Sequence, residues 1–213
     1  STSRRQRQMC IRDRFFPNGD APNVSCTEMP AAANDDRAIF DGKDRTLDNG
    51  DGYLSSFKAG FAVAKWNNFK TDNSVGKNDN YPDTDFFLFR VAEAYLNAAE
   101  AEMHLNGESS AKAKKYINAL RERAHAAKRD SYTLNDVLDE RSRELYCEGL
   151  RRTDLIRFNQ FGGTQATYKW ELKGGSTKGT SFAKTNNVYP IPSSEILSNK
   201  NLTQIDGYNE VQN

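Results

Sequence analysis

Two apolar runs at helical spacing, parted by a very short break, constrain this chain more than anything else in it. Leu88, Ala92, Tyr95, Leu96, Ala99 and Met103 fall on one face of a helix, and Asn106-Gly107 interrupts the pattern. Ala113, Tyr116, Ile117, Leu120, Ala124 and Ala127 then resume it. About three or four residues of loop cannot carry the chain to a distant site, so the two helices lie antiparallel. Ala92, Ala98, Ala99 and Ala113 let them approach closely. The result is a helical hairpin of the tetratricopeptide type, although one hairpin alone does not establish a repeat.

The flanks follow other rules. Asp83 or Thr84, after Pro82, is placed to cap the first helix. Thr133 with Asp136 three residues later is a variant capping box, which starts a third helix through about Glu148, and Gly149 is placed to end it in the left-handed conformation. A short helix from Arg152 to Phe158 follows, and Gly162-Gly163 closes the block. From Phe15 to Asp83 the chain is punctuated by Pro17, Pro22, Pro30 and Asn/Asp/Gly clusters, with a strand or two between Tyr53 and Phe69. After Gly163 it is loop again until Tyr189-Pro190-Ile191-Pro192, where alternating prolines impose an extended backbone. Ser193 then caps a brief turn of helix through Leu197. The expected class is mostly α, with tetratricopeptide-like hairpins, long irregular loops and little β. One domain over residues 15–213 is expected, with its helical core at about 84–160.

Composition narrows the function. Thirty Lys+Arg against 29 Asp+Glu leave a net charge of +1, which supplies no field for nucleic acid. The longest apolar runs, Phe61 to Ala64 and Phe86 to Phe89, are four residues, far short of a membrane-spanning helix. Cys10, Cys26 and Cys147 follow no metal-ligand spacing, and His104 and His125 are the only histidines. Zinc sites and histidine-based nucleophile pairs therefore lack parts, and both histidines read as solvated helix-end residues. No metal or cofactor is expected. Residues 1–14 carry five Arg and one Asp and resemble translated sequencing adapter, and are read as a non-native segment. On that reading the natural N-terminus, with any signal peptide or lipid anchor, is missing.

The densest charge lies between Glu140 and Arg157. Glu140, Glu144 and Glu148 share one helix face at i, i+4 and i+8, so a carboxylate acid/base pair is one reading. Each Glu also has an Arg within three or four residues, and Arg151, Arg152 and Arg157 are placed to fold back from the next helix. Carboxylates matched that closely are stabilised as anions, the opposite of what a general acid needs. The favoured reading is an ion-paired corner between two helices, with no catalytic residue.

Three motifs in order carry a resemblance to a known family. Arg90, Ala92-Glu93, Tyr95-Leu96-Asn97 and Ala99-Glu100-Ala101 form a helix pattern like that of the SusD/RagB family. Glu140-Arg141, Glu144-Leu145, Glu148-Gly149, Arg152, Asp154-Leu155 and Arg157 resemble its second signature. Tyr189 to Ile196, including Pro190 and Pro192, with Asn199, Asn201 to Gln204 and Gly207-Tyr208, resembles its third. Thr153 stands where an aromatic is common, and Ile205-Asp206 replaces Asn-Pro. The resemblance covers residues 89–208 and only the C-terminal part of such a protein.

What the resemblance implies is a nutrient-binding, mostly glycan-binding, lipoprotein at the outer-membrane surface of Bacteroidetes. Its implied partners are an oligosaccharide and a SusC-like TonB-dependent barrel, with no nucleic acid. The motifs are scaffold, so the ligand belongs to loops. Sugar C–H faces pack on aromatic rings beside polar groups, which selects Trp170 and Tyr168 between residues 162 and 187, and Tyr53 beside Asp51. Trp66, on the strand-like stretch, is expected in the core. The acidic run Asp48 to Asp51 lacks a full calcium-ligand spacing and is expected to be a turn. Two other classes stay open: a helical scaffold that binds proteins and no glycan, and a glycoside hydrolase using Glu144 or Glu148.

Overall fold

The computed structural model describes residues 14–17, 21–45, 58, 60–66, 68–70, 72–78, 85–166, 168 and 179–208. Two compact units divide the chain, Ser1–Arg151 and Arg152–Asn213. The described elements are α1 (Met29–Ala33), β1 (Phe40–Asp41), β2 (Ala62–Val63), α2 (Val91–Asn106), α3 (Ala111–Arg123), α4 (Leu134–Leu145), α5 (Arg151–Arg157), a 3-10 turn (Lys184–Asn187) and α6 (Ser193–Ser198). The protein is mostly helical, as expected. The strands β1 and β2 pair antiparallel with Phe40 opposite Val63. Among the described residues, no helix is long and apolar enough to cross a membrane.

The hairpin of α2 and α3 organises the first unit. Ala92 and Leu96, early in α2, cluster with Leu120, late in α3, whereas Met103 clusters with Ala113 and Ile117. That crossed order is antiparallel packing, and it buries Leu96, Ala99, Ala113 and Ile117 completely. Ser110 caps α3 by accepting from the Ala113 amide. Helix α4 packs against the same buried face of α2 and closes the core with Val137 and Leu145. It opens with the expected capping box, in which the Thr133 hydroxyl accepts from the Asp136 amide and Asp136 accepts from the Thr133 amide.

Three helix ends depart from the sequence reading. Helix α2 starts at Val91, because Arg90 takes the extended N-cap conformation and its guanidinium is held elsewhere, so Leu88 lies in the non-helical lead-in. Asp83 and Thr84, the expected caps, lie outside the described residues. Helix α3 stops at Arg123, and Ala127 lies beyond it. Helix α4 ends at Leu145, short of Glu148. Tyr146 turns extended there to bury its ring with Phe15, Phe40 and Phe61, and Cys147 and Gly149 then adopt positive φ. The terminal carbonyls this exposes are met by cations: Arg90 Nη2 donates to Glu144 O at 2.7 Å, and Lys65 Nζ to Glu144 O and Tyr146 O at 3.0 Å each.

The second unit is latched by side chains. The Gln204 amide hydrogen-bonds both ways with Ile191, Ile191 N to Oε1 and Nε2 to Ile191 O, each 3.0 Å. It thereby acts as a one-residue strand partner for the segment that Pro190 and Pro192 hold extended. The Tyr208 hydroxyl lies 3.0 Å from Thr185 O and 2.7 Å from Val188 O. Gly207 precedes it at φ +88°, where a Cβ would sit 2.3 Å from Thr185 Cγ2, so only glycine fits. Pro192 is the N-cap of α6, and no side chain caps it, contrary to the role expected of Ser193. The proline fixes φ at the entry, and the Glu195 amide donates to Pro192 O at 3.0 Å.

Candidate functional site

Glu140, Glu144 and Glu148 line one side of α4 and the turn after it, and the structure surrounds them with cations. Glu140 is fully buried; Arg121 Nη1 and Arg143 Nη2 reach its Oε2 at 2.9 and 2.6 Å. Arg37 Nη1 lies 2.7 Å from its Oε1, off the alignment of a hydrogen bond, so that contact is Coulombic. Arg37 also holds Glu144 at 3.1 Å and is itself forked onto Asp35, with Nε to Oδ1 at 2.8 Å and Nη2 to Oδ2 at 2.7 Å. Glu144 takes Arg90 Nη1 at 2.6 Å and Arg123 Nη2 at 2.7 Å. Glu148 takes Arg90 Nε at 2.7 Å and Nη2 at 2.8 Å, and it pairs with Lys65. Bidentate arginine contacts of this kind are the strongest pairs available to a carboxylate.

The charge states follow. Burial alone would push Glu140 up, but Arg143, Arg37 and Arg121 outweigh it and bring it down to about 2. Glu144 is lowered as well, against its burial, by hydrogen bonds from Arg90 and Arg123. Burial draws Lys65 below the ordinary lysine value, with Glu148 and Glu144 partly restoring it. Beneath this network the Tyr146 hydroxyl donates to Arg37 O at 2.7 Å, and burial pushes its pKa well above the usual phenol range. Lys65 Nζ sits 4.4 Å from the centre of its ring. A carboxylate held ionised by two or three cations has no proton to give near neutrality, so Glu140 and Glu144 are unsuited to act as general acids.

Arg143 pairs with Glu140 three residues before it, as the spacing suggested, but the other cations differ. Arg151 Nη1 donates to Leu138 O at 2.8 Å. Arg152 donates to Asn186 O at 2.8 Å, with its guanidinium 4.1 Å from the Tyr189 ring centre and 5.0 Å from that of Phe161. Arg157 pairs with buried Asp154 at 3.1 Å. Arg37, Arg90, Arg121, Arg123 and Lys65 occupy the places proposed for them. Arg90 was legible as a motif residue; Arg37 left only the Asp35-x-Arg37 fork as a signal. Arg141 Nη1 donates to Asn97 Oδ1 at 2.6 Å, which ties α4 to α2. Glu100 is buried on α2, and Glu93 is half-buried in its first turn, where a negative charge suits the helix N-terminus.

Of the sugar-binding candidates, Tyr168 is half-buried and its amide donates to Gln160 Oε1 at 3.0 Å. Trp170 and Tyr53 lie outside the described residues, as do the acidic run at Asp48 and all of the basic leader except Arg14, which pairs with Asp139 at 2.9 Å. Trp66 is not in the core. It follows β2 at the surface, 37% exposed, and stacks on the exposed Phe87 ring at 6.4 Å with the planes inclined by 27°. The two-residue strand ends before it, so no strand alternation turns it inward. His104 is exposed, and His125 sets Nδ1 2.6 Å from Asp36 Oδ2 on the surface. Among the described residues, no group of His, Cys, Asp and Glu could hold a metal ion.

Comparison with known proteins converges on one family. The SusD family model matches residues 43–208. The starch-binding protein SusD of Bacteroides thetaiotaomicron is 42% identical over 190 residues, which is 87% of this chain and 33% of that protein. The chain therefore spans about a third of the length of this relative. Among solved structures, surface glycan-binding protein A of Bacteroides uniformis superposes with a TM-score of 0.53 at 27% identity, covering 71% of this chain and 33% of that one. A SusD superfamily protein of Parabacteroides distasonis gives 0.59 over 92% of this chain and 41% of its own, at 21% identity, which speaks to fold alone.

Proposed function

The chain belongs to the SusD family, and from that premise we propose that the protein it is part of binds a glycan at the outer-membrane surface and does not cleave it. The observation that carries this reading is 42% identity to a starch-binding protein over most of the chain. The chemistry of the carboxylate cluster supports it: the acid/base pair that hydrolysis needs is locked into ion pairs. Tyr168, Trp170 and Tyr53 are the ring candidates for sugar stacking that the sequence offers. The natural polypeptide would be lipid-anchored and would hand its ligand to a SusC-like TonB-dependent barrel, since a surface binding protein moves nothing across a membrane by itself.

Calorimetry of the full-length protein with starch-derived and other oligosaccharides tests the binding, and product analysis after long incubation tests the absence of cleavage. Binding with intact sugar supports the reading; release of shorter sugars overturns it. Co-purification with a barrel protein from detergent-solubilised outer membranes tests the partner, and recovery as a free periplasmic protein would count against it.

A further inference from the structure

Arg152 differs from the other arginines in what it holds. Arg37, Arg90, Arg121, Arg123, Arg143 and Arg157 each pair with a carboxylate. Among the described residues no carboxylate pairs with Arg152; Asp154, two positions along α5, is buried and taken by Arg157. The groups that fix Arg152 all belong to the second unit. Its Nη2 donates to Asn186 O at 2.8 Å, and its guanidinium lies 4.1 Å from the Tyr189 ring centre and 5.0 Å from that of Phe161. The Phe182 ring backs Phe161 at 5.1 Å. A guanidinium presents a rigid fork of N–H donors, and the bond to Asn186 uses a single one of them. The half-buried side chain is thus held in place by two rings and a carbonyl, with the rest of its fork unspent on the protein.

An oriented arginine with donors to spare is a receptor for an anion, because two oxygens of a carboxylate or a sulfate can accept parallel N–H bonds from the fork. Tyr189 supplies what a sugar needs beside it. Pro190 follows it and holds its backbone extended. The residue is 71% exposed although its ring stacks on Arg152, so ring surface remains for the C–H face of a sugar. Tyr168 is tied to the same neighbourhood, because its amide donates to Oε1 of Gln160, the residue before Phe161, at 3.0 Å. A neutral sugar would use the rings and leave the cation unanswered. We propose that Arg152 and Tyr189 form a subsite for the anionic group of an acidic glycan, a uronic acid carboxylate or a sulfate ester. Tyr189 stacks on the sugar ring, and Arg152 pairs with its charge. The proposal rests on the glycan reading and narrows it to a ligand that carries negative charge.

Calorimetry of the full-length protein compares two ligand pairs that differ only in charge: trigalacturonate against its methyl ester, and a sulfated galactan oligosaccharide against its desulfated form. In one pair the charged member should bind about tenfold more tightly or better, and that pair names the anion. Binding of maltoheptaose with no preference for charge in either pair overturns the subsite and leaves the glycan reading standing. Binding of none of these sugars overturns both. Arg152→Lys keeps the positive charge and removes the fork, so it should weaken the charged ligand about tenfold, and unchanged affinity overturns the proposal. Should that variant fail to fold, hydroxyl-radical footprinting of the unaltered protein locates the site. The charged ligand should protect Tyr189 several-fold and its uncharged counterpart should not, whereas equal labelling of Tyr189 with and without the bound charged ligand overturns the proposal.

Discussion

Glu140 shows how much one side chain depends on its surroundings. Its carboxyl titrates at about 2 in the folded protein and near 4.5 in a free chain. The folded pKa is depressed, so the stabilisation is complete above the unfolded value and is lost as pH falls from about 4.5 toward 2. The difference corresponds to about 3 kcal/mol at neutral pH. Glu140→Gln should therefore flatten the acid end of a urea-midpoint-against-pH curve, and an unchanged acid limb would show that the cluster is not ion-paired. Glu148 is subtler, because it anchors Arg90 and Lys65 at the point where α4 ends. Glu148→Ala should cost about 2–3 kcal/mol by taking the carboxylate from Lys65 and one of two from Arg90, with no hydrolytic activity lost; denaturant melts and product analysis check the two halves. The spacing of Glu140, Glu144 and Glu148 announced ion pairing and made Arg143 legible as a partner of Glu140, but Arg37, Arg121, Arg123 and Lys65 came from sequence positions that no local pattern connects to them.

Helix boundaries divide by the range of the forces that set them. The start of α4 is a matter of four adjacent residues, Thr133 to Asp136, and it was legible. Thr133→Ala should lower stability by about 1 kcal/mol, read as a fall in Tm. Its end was not legible, because Arg90 and Lys65 cap the last carbonyls from 54 and 79 residues away. The segment around Pro190 and Pro192 is a mixed case. Its extended backbone follows from the prolines, whereas its anchoring by Gln204 follows from a fold that returns 13 residues later. Gln204→Leu should leave Ile191 without both bonds and cost about 1–3 kcal/mol. Hydrogen exchange at the Ile191 amide is the sensitive measure, and unchanged protection would mean that the latch is incidental.

At the scale of the whole molecule, the family and the class of fold were legible from three ordered motifs and one hairpin. A binding protein built this way should retain affinity for its oligosaccharide in Glu144→Gln and lose it on removal of a stacking ring. Titrating the full-length protein with Trp170→Ala and Tyr168→Ala variants distinguishes the two effects, and full affinity in both would exclude these rings as the site. The sequence by itself determined that α2 and α3 pair antiparallel, because helical periodicity and a short loop act within a few residues of each other. It also determined where α4 begins, and that Glu140 and Glu144 would be held ionised. Only the tertiary structure decided that Arg37, Arg121, Arg123 and Lys65 supply the opposing charge, that α4 stops at Leu145, and that Trp66 lies at the surface. Those outcomes rest on contacts of about 3 Å between segments remote in sequence, and such contacts exist only after the helices have packed.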